Sequence, residues 1–486
     1  MKENTTLGDL KKSGYTSKGI KQELRDNLII HLKNKTTPFV GVWGYENTVL
    51  PELERAILSM HNINLLGLRG QAKTRLARLM VGLLDDFIPV VAGSEINDDP
   101  LAPISSFAKR LIEENGDQTP ISWLAKEDRF YEKLATPDVS VADLIGDIDP
   151  IKAANLKLSY SDERVLHFGM IPRANRCIFV INELPDLQAR IQVSLFNILQ
   201  EGDIQIRGFK LRLPLDIQCV FTANPEDYTN RGSIVTPLKD RIGSQILTHY
   251  PQDIKTAKKI TAQEAITASS DIGSIEVPEI AKDLLEQISF EARESDYIDA
   301  KSGVSARMSI TAYQNLMSTA ERRMLLSDQS KTQIRLSDFT GILPAITGKV
   351  ELVYEGEQEG ANFVANHLLE AAIKTLFEDR FPKINKLERQ DAETPYDEIL
   401  HWFFESEGFE LLDDDTDVQY QEKLNSIAPL DALVNKYSAN NAPLEEILFL
   451  KEMVLWGLVA FNKLSKHRFS SGTEFKDLYG SYIKGL

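Results

Sequence analysis

A glycine-rich turn followed by a lysine and a threonine is the clearest chemical feature of this 486-residue sequence. The segment reads Gly67-Leu68-Arg69-Gly70-Gln71-Ala72-Lys73-Thr74. Backbone N–H groups of such a turn, together with the N-terminus of a following helix, bind phosphate oxygens. Lys73 would then reach the β- and γ-phosphates of a nucleotide, and Thr74 would bind magnesium. Ala72 replaces the last glycine of the usual G-x-x-x-x-G-K-S/T pattern, and we expect it to be tolerated in a right-handed conformation.

A second apolar run, Cys177-Ile178-Phe179-Val180-Ile181-Asn182-Glu183, ends in a carboxylate. In nucleotide hydrolases such a strand brings its terminal acid beside the γ-phosphate, where Glu183 would orient an attacking water. Asn182 stands where an aspartate usually helps to hold magnesium. Its amide oxygen can accept a hydrogen bond from a metal-bound water, but it brings no negative charge. We therefore expect weaker magnesium binding; the alternative is a site that binds ATP and hydrolyses it poorly.

The elements that position these residues follow from the hydrophobic pattern. An apolar strand precedes the glycine turn and an amphipathic helix follows it, which is the context that a phosphate-binding loop requires. From Pro38 to about Pro251, apolar strands alternate with helices. This alternation predicts an α/β fold in which helices flank a central parallel sheet.

Four regions follow from changes in this pattern. Residues 1–36 form a mostly polar extension with one helical stretch, and residues 37–251 form the P-loop core, with an insert at about 94–170. Residues 252–350 are predicted to form a helical lid, and residues 351–486 an additional acidic, helical C-terminal domain.

Charge and composition exclude several classes of function. Acidic residues outnumber basic ones by 72 to 55, which gives a net charge of −17. Nucleic-acid binding is therefore not expected, because a binder needs a basic face that displaces counterions. The two cysteines, Cys177 and Cys219, lie in apolar runs and are expected to be packing residues. The absence of a signal sequence or a long apolar segment predicts a cytoplasmic protein without a membrane span.

Several segments around these motifs are specific enough to indicate a family. The run Gly169-Met170-Ile171-Pro172-Arg173-Ala174-Asn175-Arg176 closely resembles the magnesium-chelatase ATPase subunit. Asp143-Leu144-Ile145-Gly146 resembles an element of MoxR proteins, which also often carry alanine at the position of Ala72. Residues 201–213 read as a β-hairpin about Arg207-Gly208 and resemble the pre-sensor hairpin of the same group. Over about residues 37–350, the chain thus resembles AAA+ ATPases of the MoxR and magnesium-chelatase subunit I family.

The resemblance implies roles for further residues. Asn224 matches the sensor-1 asparagine that positions the hydrolytic water, and Arg241 matches the arginine finger that acts on the ATP of a neighbouring subunit. Arg307 matches the sensor-2 arginine of the lid, and Val42 and Trp43 match residues that line the adenine pocket. The complete set of predicted nucleotide-binding residues is Gly67, Gly70, Gln71, Ala72, Lys73, Thr74, Arg75, Val42 and Trp43. The predicted metal ligands are Thr74 and Asn182, and the predicted catalytic residues are Glu183, Asn224, Arg241 and Arg307.

The resemblance also implies ATP and Mg²⁺ as cofactors and a ring of identical subunits, expected to be a hexamer. The leading hypothesis is a motor that remodels or activates a separate protein with a von Willebrand A domain. One alternative is the ATPase subunit of a magnesium or cobalt chelatase, although residues 94–140 lack the cysteines that the chelatase insert carries. Another is a nucleotide-dependent scaffold with weak hydrolysis, which the neutral Asn182 favours. A transcription activator is less favoured, because the G-A-F-T-G-A loop of that class is absent.

The C-terminal region offers weaker signals. Asp413-Asp414-Asp415-Thr416-Asp417 lacks the glycine of a calcium-binding loop, so we expect a solvated acidic loop. Trp402, Phe403 and Phe404 are expected to be core residues. Residues 351–486 as a whole are interpreted as a partner-docking domain.

Overall fold

The computed structural model describes residues 5–158, 163–205, 212–225, 233–265, 274–384, 394–406, 408–439, 441–469 and 471–478. The chain divides into two compact units, Met1–His249 and Tyr250–Leu486. Within the described ranges, no helix is both long enough and apolar enough to cross a bilayer. The predicted domain limits remain a prediction.

The first unit alternates strands with helices. Its strands are β1 (Ile63–Leu66), β2 (Phe87–Val91), β3 (Ile121–Ala125), β4 (Phe130–Leu134), β5 (Gly146–Ile148), β6 (Leu166–Phe168), β7 (Cys177–Asn182), β8 (Asp203–Gln205), β9 (Arg212–Pro214), β10 (Ile217–Ala223) and β11 (Ser244–Leu247). Its helices are α1 (Leu7–Lys12), α2 (Ile20–Lys33), α3 (Val49–Leu58), α4 (Lys73–Leu79), α5 (Ser106–Asn115), α6 (Val141–Leu144), α7 (Pro150–Leu156), α8 (Met170–Arg173), α9 (Ala189–Ser194), α10 (Phe196–Gln200) and α11 (Thr236–Arg241).

A five-stranded parallel sheet in the order β11-β1-β10-β7-β4 forms the centre of this unit. Every residue of β7 and β10 is buried, as expected for strands that helices cover on both faces. Both strands are accordingly rich in apolar side chains on both faces, and their polar residues Asn182, Gln218 and Thr222 are buried as well. The predicted α/β class with a central parallel sheet is confirmed.

The second helix, α2, packs into the core of the first unit. Ile20, Leu24 and Leu28 are buried in the same cluster as residues of β1 and β10. The helix also carries Glu23, whose carboxylate forms a bidentate ion pair with the Arg129 guanidinium, with both N–O distances 2.7 Å. Arg129 directly precedes β4, so this buried pair attaches α2 to the edge strand of the sheet.

The predicted hairpin lies partly within the described structure. β8 and β9 pair antiparallel, with Ile204 opposite Leu213. The predicted turn at Arg207-Gly208 lies outside the described residues.

The second unit is mainly helical. Its helices are α12 (Ile254–Glu264), α13 (Glu279–Glu294), α14 (Arg307–Leu326), α15 (Leu343–Thr347), α16 (Tyr354–Glu359), α17 (Ala361–Arg380), α18 (Asp397–Glu405), α19 (Asp417–Ser426), α20 (Ala428–Tyr437) and α21 (Leu444–Ala460). Its strands are β12 (Ser274–Glu276), β13 (Lys331–Gln333), β14 (Phe409–Leu412), β15 (Leu464–Phe469) and β16 (Gly472–Asp477). The helical content confirms the prediction, whereas the antiparallel sheet β14-β16-β15 was not predicted.

A single hydrophobic core joins the residues predicted as lid to those predicted as C-terminal domain. Leu284 and Leu316 belong to the same buried cluster as Leu368 and Val454. Of the three aromatic residues predicted to be core, Phe403 is buried and Trp402 packs against the cluster, but Phe404 is 70% exposed. The prediction is therefore wrong for Phe404.

The acidic segment at 413–417 forms ion pairs rather than a solvated loop. Asp413 binds Arg468 through both carboxylate oxygens, at 2.7 and 2.8 Å, and Asp415 is buried against the Lys423 ammonium. Asp417 accepts a hydrogen bond of 2.8 Å from the buried Arg335. The expectation was wrong for these three carboxylates, because Arg335 and Arg468 lie far away in sequence and local patterning does not reveal the pairing.

The Glu23–Arg129 pair should be important for the stability of the first unit. Glu23→Gln should lower the free energy of unfolding by about 3 kcal/mol, because it leaves the Arg129 charge buried without its partner. Urea unfolding followed by circular dichroism measures the change. The matched control is Asp86→Asn, which removes a carboxylate from an exposed ion pair with Lys126 and should have almost no effect. Equal unfolding midpoints for the two variants would contradict the prediction.

Candidate active site

The glycine turn connects β1 to the N-terminus of α4 and packs closely against neighbouring strand ends. The Gly67 N–H donates a hydrogen bond of 3.1 Å to the Ala223 carbonyl at the end of β10. A Cβ atom at position 67 would lie 2.0 Å from Thr248 Oγ1, so only glycine fits there. Gly70 has φ +73°, a conformation that glycine adopts without steric cost. Close packing therefore requires glycine at position 67, and the positive φ favours glycine at position 70.

Ala72 does not have the expected right-handed conformation. Its φ and ψ are +55° and 18°, in the left-handed region. This conformation brings the Cβ atom of an L-residue close to the following carbonyl oxygen and costs roughly 1–2 kcal/mol. The turn imposes the conformation because the chain must reverse at Ala72 before α4 begins at Lys73, so the alanine is strained.

Lys73 and Gln71 point into the turn and the adjoining sheet. The Lys73 ammonium donates hydrogen bonds to the carbonyl oxygens of Gly67 and Leu68, the latter at 2.9 Å, and the side chain is 7% exposed. Gln71 Oε1 accepts a 2.8 Å hydrogen bond from the Thr248 hydroxyl, just beyond β11. The Lys73 ammonium thus lies inside the loop, where it would meet a phosphate bound by the loop N–H groups.

The ends of β7 and β10 meet the start of α4 through a small polar network. Asn182 Oδ1 lies 3.2 Å from the Thr74 hydroxyl and 3.1 Å from the Thr222 hydroxyl, and both hydroxyls donate to it. Thr222 in turn accepts a 3.1 Å hydrogen bond from the Glu183 backbone N–H. The structure therefore brings together three sequence-predicted residues, Thr74, Asn182 and Glu183. Hydroxyl and amide oxygens are suitable ligands for Mg²⁺ or its bound waters.

Glu183 is held in a strained backbone conformation. Its φ and ψ are +54° and +49°, which is uncommon for a residue other than glycine, asparagine or aspartate. Conformations of this kind cost about 1–3 kcal/mol and often occur at functional sites. The buried Asn224 directly follows β10, which is the parallel neighbour of β7. Asn224 and Glu183 therefore lie at the same edge of the sheet. The structure thus places both predicted catalytic residues at that edge.

The segment predicted to line an adenine pocket is held near the turn by an aromatic residue. The Tyr45 hydroxyl lies 2.9 Å from the Gln71 carbonyl oxygen and 2.7 Å from that of His249. Val42 is buried in the same hydrophobic cluster as Tyr45, and Trp43 is 37% exposed. This arrangement brings Val42 and Trp43 to the side of the glycine turn.

The structure also describes the surroundings of three further predicted residues. Arg75, in the first turn of α4, is half-buried. Arg241 donates hydrogen bonds to Gln200 Oε1 and to the Pro237 carbonyl oxygen, and its guanidinium lies over the Phe196 ring. Arg307 is exposed at the start of α14, in the second unit.

Four residues near the turn were missed: Tyr45, Glu132, Thr222 and Thr248. Glu132, Thr222 and Thr248 contact predicted site residues only because separate strands lie side by side, whereas Tyr45 reaches the Gln71 carbonyl from the segment before α3. A threonine inside an apolar strand, such as Thr222, carries no local signal that distinguishes it from a packing residue. Only the strand order could have identified Glu132, Thr222 and Thr248.

The two cysteines are packing residues, as expected. Cys177 and Cys219 are free and buried within β7 and β10. Burial raises the pKa of each thiol to about 12. Neither is therefore a nucleophile near neutral pH.

Comparison of the sequence with known proteins gives one informative relative. No family model matches the chain. The magnesium-chelatase 38 kDa subunit of Cereibacter sphaeroides is 26% identical over 247 residues, which are 49% of this chain and 66% of that subunit. The chain therefore spans just under two thirds of the length of this relative.

Solved structures give weaker likenesses. The magnesium-chelatase BchI–BchD complex is 19% identical, with a TM-score of 0.36 over 66% of this chain and 98% of that chain. NtrX from Brucella abortus is 14% identical, with a TM-score of 0.35 over 60% of this chain and 55% of that one. A RuvB variant from Thermotoga maritima is 12% identical, with a TM-score of 0.35 over 91% and 96% of the two chains.

The strain at Ala72 makes a prediction about stability. Ala72→Gly should raise the free energy of unfolding by up to about 1 kcal/mol, because relief of the left-handed strain exceeds the added entropy of the unfolded chain. Ala77→Gly in the interior of α4 is the matched control, and it should lower stability by about 1 kcal/mol or more. Urea unfolding of both variants measures the two changes. A loss of stability in Ala72→Gly similar to that in Ala77→Gly would contradict the prediction.

Proposed function

We propose that this chain, an AAA+ ATPase of the MoxR and magnesium-chelatase type, binds ATP with Mg²⁺ at the Gly67–Thr74 turn and hydrolyses it. The observation that carries this proposal is the convergence of Thr74, Asn182, Glu183 and Asn224 at one edge of the parallel sheet. In α/β proteins, ligands bind beyond the carboxyl ends of parallel strands, where the loops of separate strands meet.

Each residue has a role that its surroundings support. The N–H groups of the turn and the N-terminus of α4 would bind phosphate oxygens, and the Lys73 ammonium would neutralise their charge. Thr74 and Asn182 would hold the metal ion, which supplies charge stabilisation for phosphoryl transfer when bound. Glu183 would accept a proton from the attacking water or orient it, and Asn224 would position that water.

We also infer that the chain forms an oligomer and acts on a partner protein. Arg241 contacts Gln200, Pro237 and Phe196, which is compatible with action on the ATP of a neighbouring subunit. Arg307 would act as the sensor-2 residue. We infer a ring, expected to be hexameric, that remodels or activates a separate protein with a von Willebrand A domain. The support for this ring and partner is the resemblance to MoxR proteins.

Two other functions have an observation in their favour. The sequence relative is a subunit of magnesium chelatase, which favours a role as a chelatase ATPase subunit. The neutral side chain of Asn182 favours a scaffold that binds ATP and turns it over weakly. Hydrolysis measurements distinguish the scaffold from an active ATPase.

Magnesium-dependent ATP hydrolysis should depend on Lys73 and Glu183. Lys73→Ala should abolish hydrolysis and weaken nucleotide binding, because the loop loses the ammonium group that would neutralise phosphate charge. Glu183→Gln should lower kcat by at least about 100-fold while ATP still binds, because the general base is lost. Exposed residues offer matched controls, Lys33→Ala and Glu127→Gln, which should hydrolyse ATP at the wild-type rate. If wild-type protein binds ATP but hydrolyses it no faster than Glu183→Gln, the scaffold becomes the better description.

A mixing experiment tests the role of Arg241 between subunits. Arg241→Ala alone should bind ATP and lose at least about 100-fold in hydrolysis, as expected for removal of an arginine finger. Mixing it with Lys73→Ala should restore part of the activity, because some interfaces then combine an intact Lys73 with an intact Arg241. The steady-state ATPase rate of the mixture, compared with each variant alone, is the measurement. Full activity of Arg241→Ala alone would rule out the role.

A further inference from the structure

A carboxylate from the neighbouring strand contacts the neutral residue of the proposed metal site. Glu132 lies on β4, which pairs in parallel with β7, and Leu134 is directly opposite Asn182. Glu132 is two residues before Leu134, so its side chain is on the same face of the sheet and diagonal to Asn182. Glu132 Oε1 accepts a hydrogen bond of 2.5 Å from Asn182 Nδ2.

This contact determines which end of the Asn182 amide faces the metal site. Thr74 and Thr222 both donate their hydroxyl protons to Asn182 Oδ1, and the amide nitrogen donates to Glu132. A carboxylate can only accept hydrogen bonds, so it accepts from the NH₂ group and leaves the oxygen directed at Thr74. Without Glu132, the amide could rotate and present N–H groups to the metal site, where they would repel a cation.

The same contact places negative charge one side chain away from Thr74. Glu132 is only partly exposed, at 24% of its side-chain surface. Its second oxygen, Oε2, accepts hydrogen bonds of 2.7 and 3.0 Å from the guanidinium of Arg78. Arg78 is 64% exposed, so solvent and salt screen its charge more strongly than that of the carboxylate. Glu132 Oε1 remains hydrogen-bonded to the Asn182 amide.

We propose that Glu132 is the positioning residue of the magnesium site and supplies, through Asn182, the negative charge that an aspartate at position 182 would supply directly. The inference rests on the proposed function, since it concerns the same site. Carboxylates that hydrogen-bond to metal ligands in this way orient the ligand and increase metal affinity. A neutral asparagine at position 182 is then compatible with metal binding, because the carboxylate has moved to the adjacent strand.

Manganese is a suitable probe, because it takes oxygen ligands like Mg²⁺ and free Mn²⁺ is detected directly by electron paramagnetic resonance. Titrations use the full chain saturated with a non-hydrolysable ATP analogue. A parallel titration with a fluorescent ATP analogue in EDTA measures nucleotide binding without metal. Glu132→Gln should weaken Mn²⁺ binding by about 10- to 100-fold and leave metal-free nucleotide binding unchanged.

Two further variants separate charge from folding. Asn182→Asp combined with Glu132→Gln moves the carboxylate to position 182, and it should restore Mn²⁺ affinity to within about threefold of wild type, far above Glu132→Gln alone. Glu127→Gln removes an equal charge from an exposed position five residues earlier, and it should leave Mn²⁺ affinity unchanged.

The outcomes distinguish this inference from the proposed function. Wild-type Mn²⁺ affinity in Glu132→Gln would overturn the role of Glu132 and leave the proposed ATPase intact. The same holds if the double variant binds Mn²⁺ as weakly as Glu132→Gln. Wild-type protein that binds neither nucleotide nor Mn²⁺ would contradict the proposed function and the inference together.

Discussion

The parallel pairing of β1, β10, β7 and β4 determines where each candidate residue of the central site lies. Parallel strands all present their carboxyl ends at one edge of a sheet, so the glycine turn after β1 lies beside Asn224 after β10 and Glu183 after β7. A shift of one residue in the register of β7 would turn Asn182 to the opposite face. The Thr222 hydroxyl bonds to both Asn182 and the Glu183 N–H, and so links two of these strand ends directly.

Near the site, a buried ion pair stabilises the position of one strand, while two residues have strained backbone conformations. β4 is attached at its start by the buried Arg129–Glu23 pair, and three residues later it carries Glu132 to the side of Asn182. Ala72 and Glu183, by contrast, both adopt left-handed conformations that are unfavourable for their side chains. Rigid strands on either side can hold such conformations, because rearranging a packed sheet would cost more than the strain.

The sequence predicted those features whose signals lie within one short segment of the chain. The resemblance to AAA+ ATPases of the MoxR and magnesium-chelatase type was confirmed, as was the α/β sheet, because their signals are short runs of adjacent residues. The conformation of Ala72 was predicted wrongly, since the path of the turn and not the residue type decides it.

Features that depend on contacts between distant segments could not be predicted. Glu132 meets Asn182 only because β4 is the strand beside β7, and nothing in its own segment indicates that position. The ion pairs of Asp413 and Asp417 with Arg468 and Arg335 have the same origin. The antiparallel sheet of the second unit was likewise not predicted, because the residues around its strands show helical periodicity.

The most direct test is an experimental structure of the protein with Mg²⁺ and a non-hydrolysable ATP analogue. We expect the triphosphate to lie within the Gly67–Thr74 turn, with the Lys73 ammonium against its phosphate oxygens. We expect the metal ion to lie beside Thr74 and Asn182. An analogue bound elsewhere on the chain, or bound with its phosphates away from this turn, would contradict the assignment of the site.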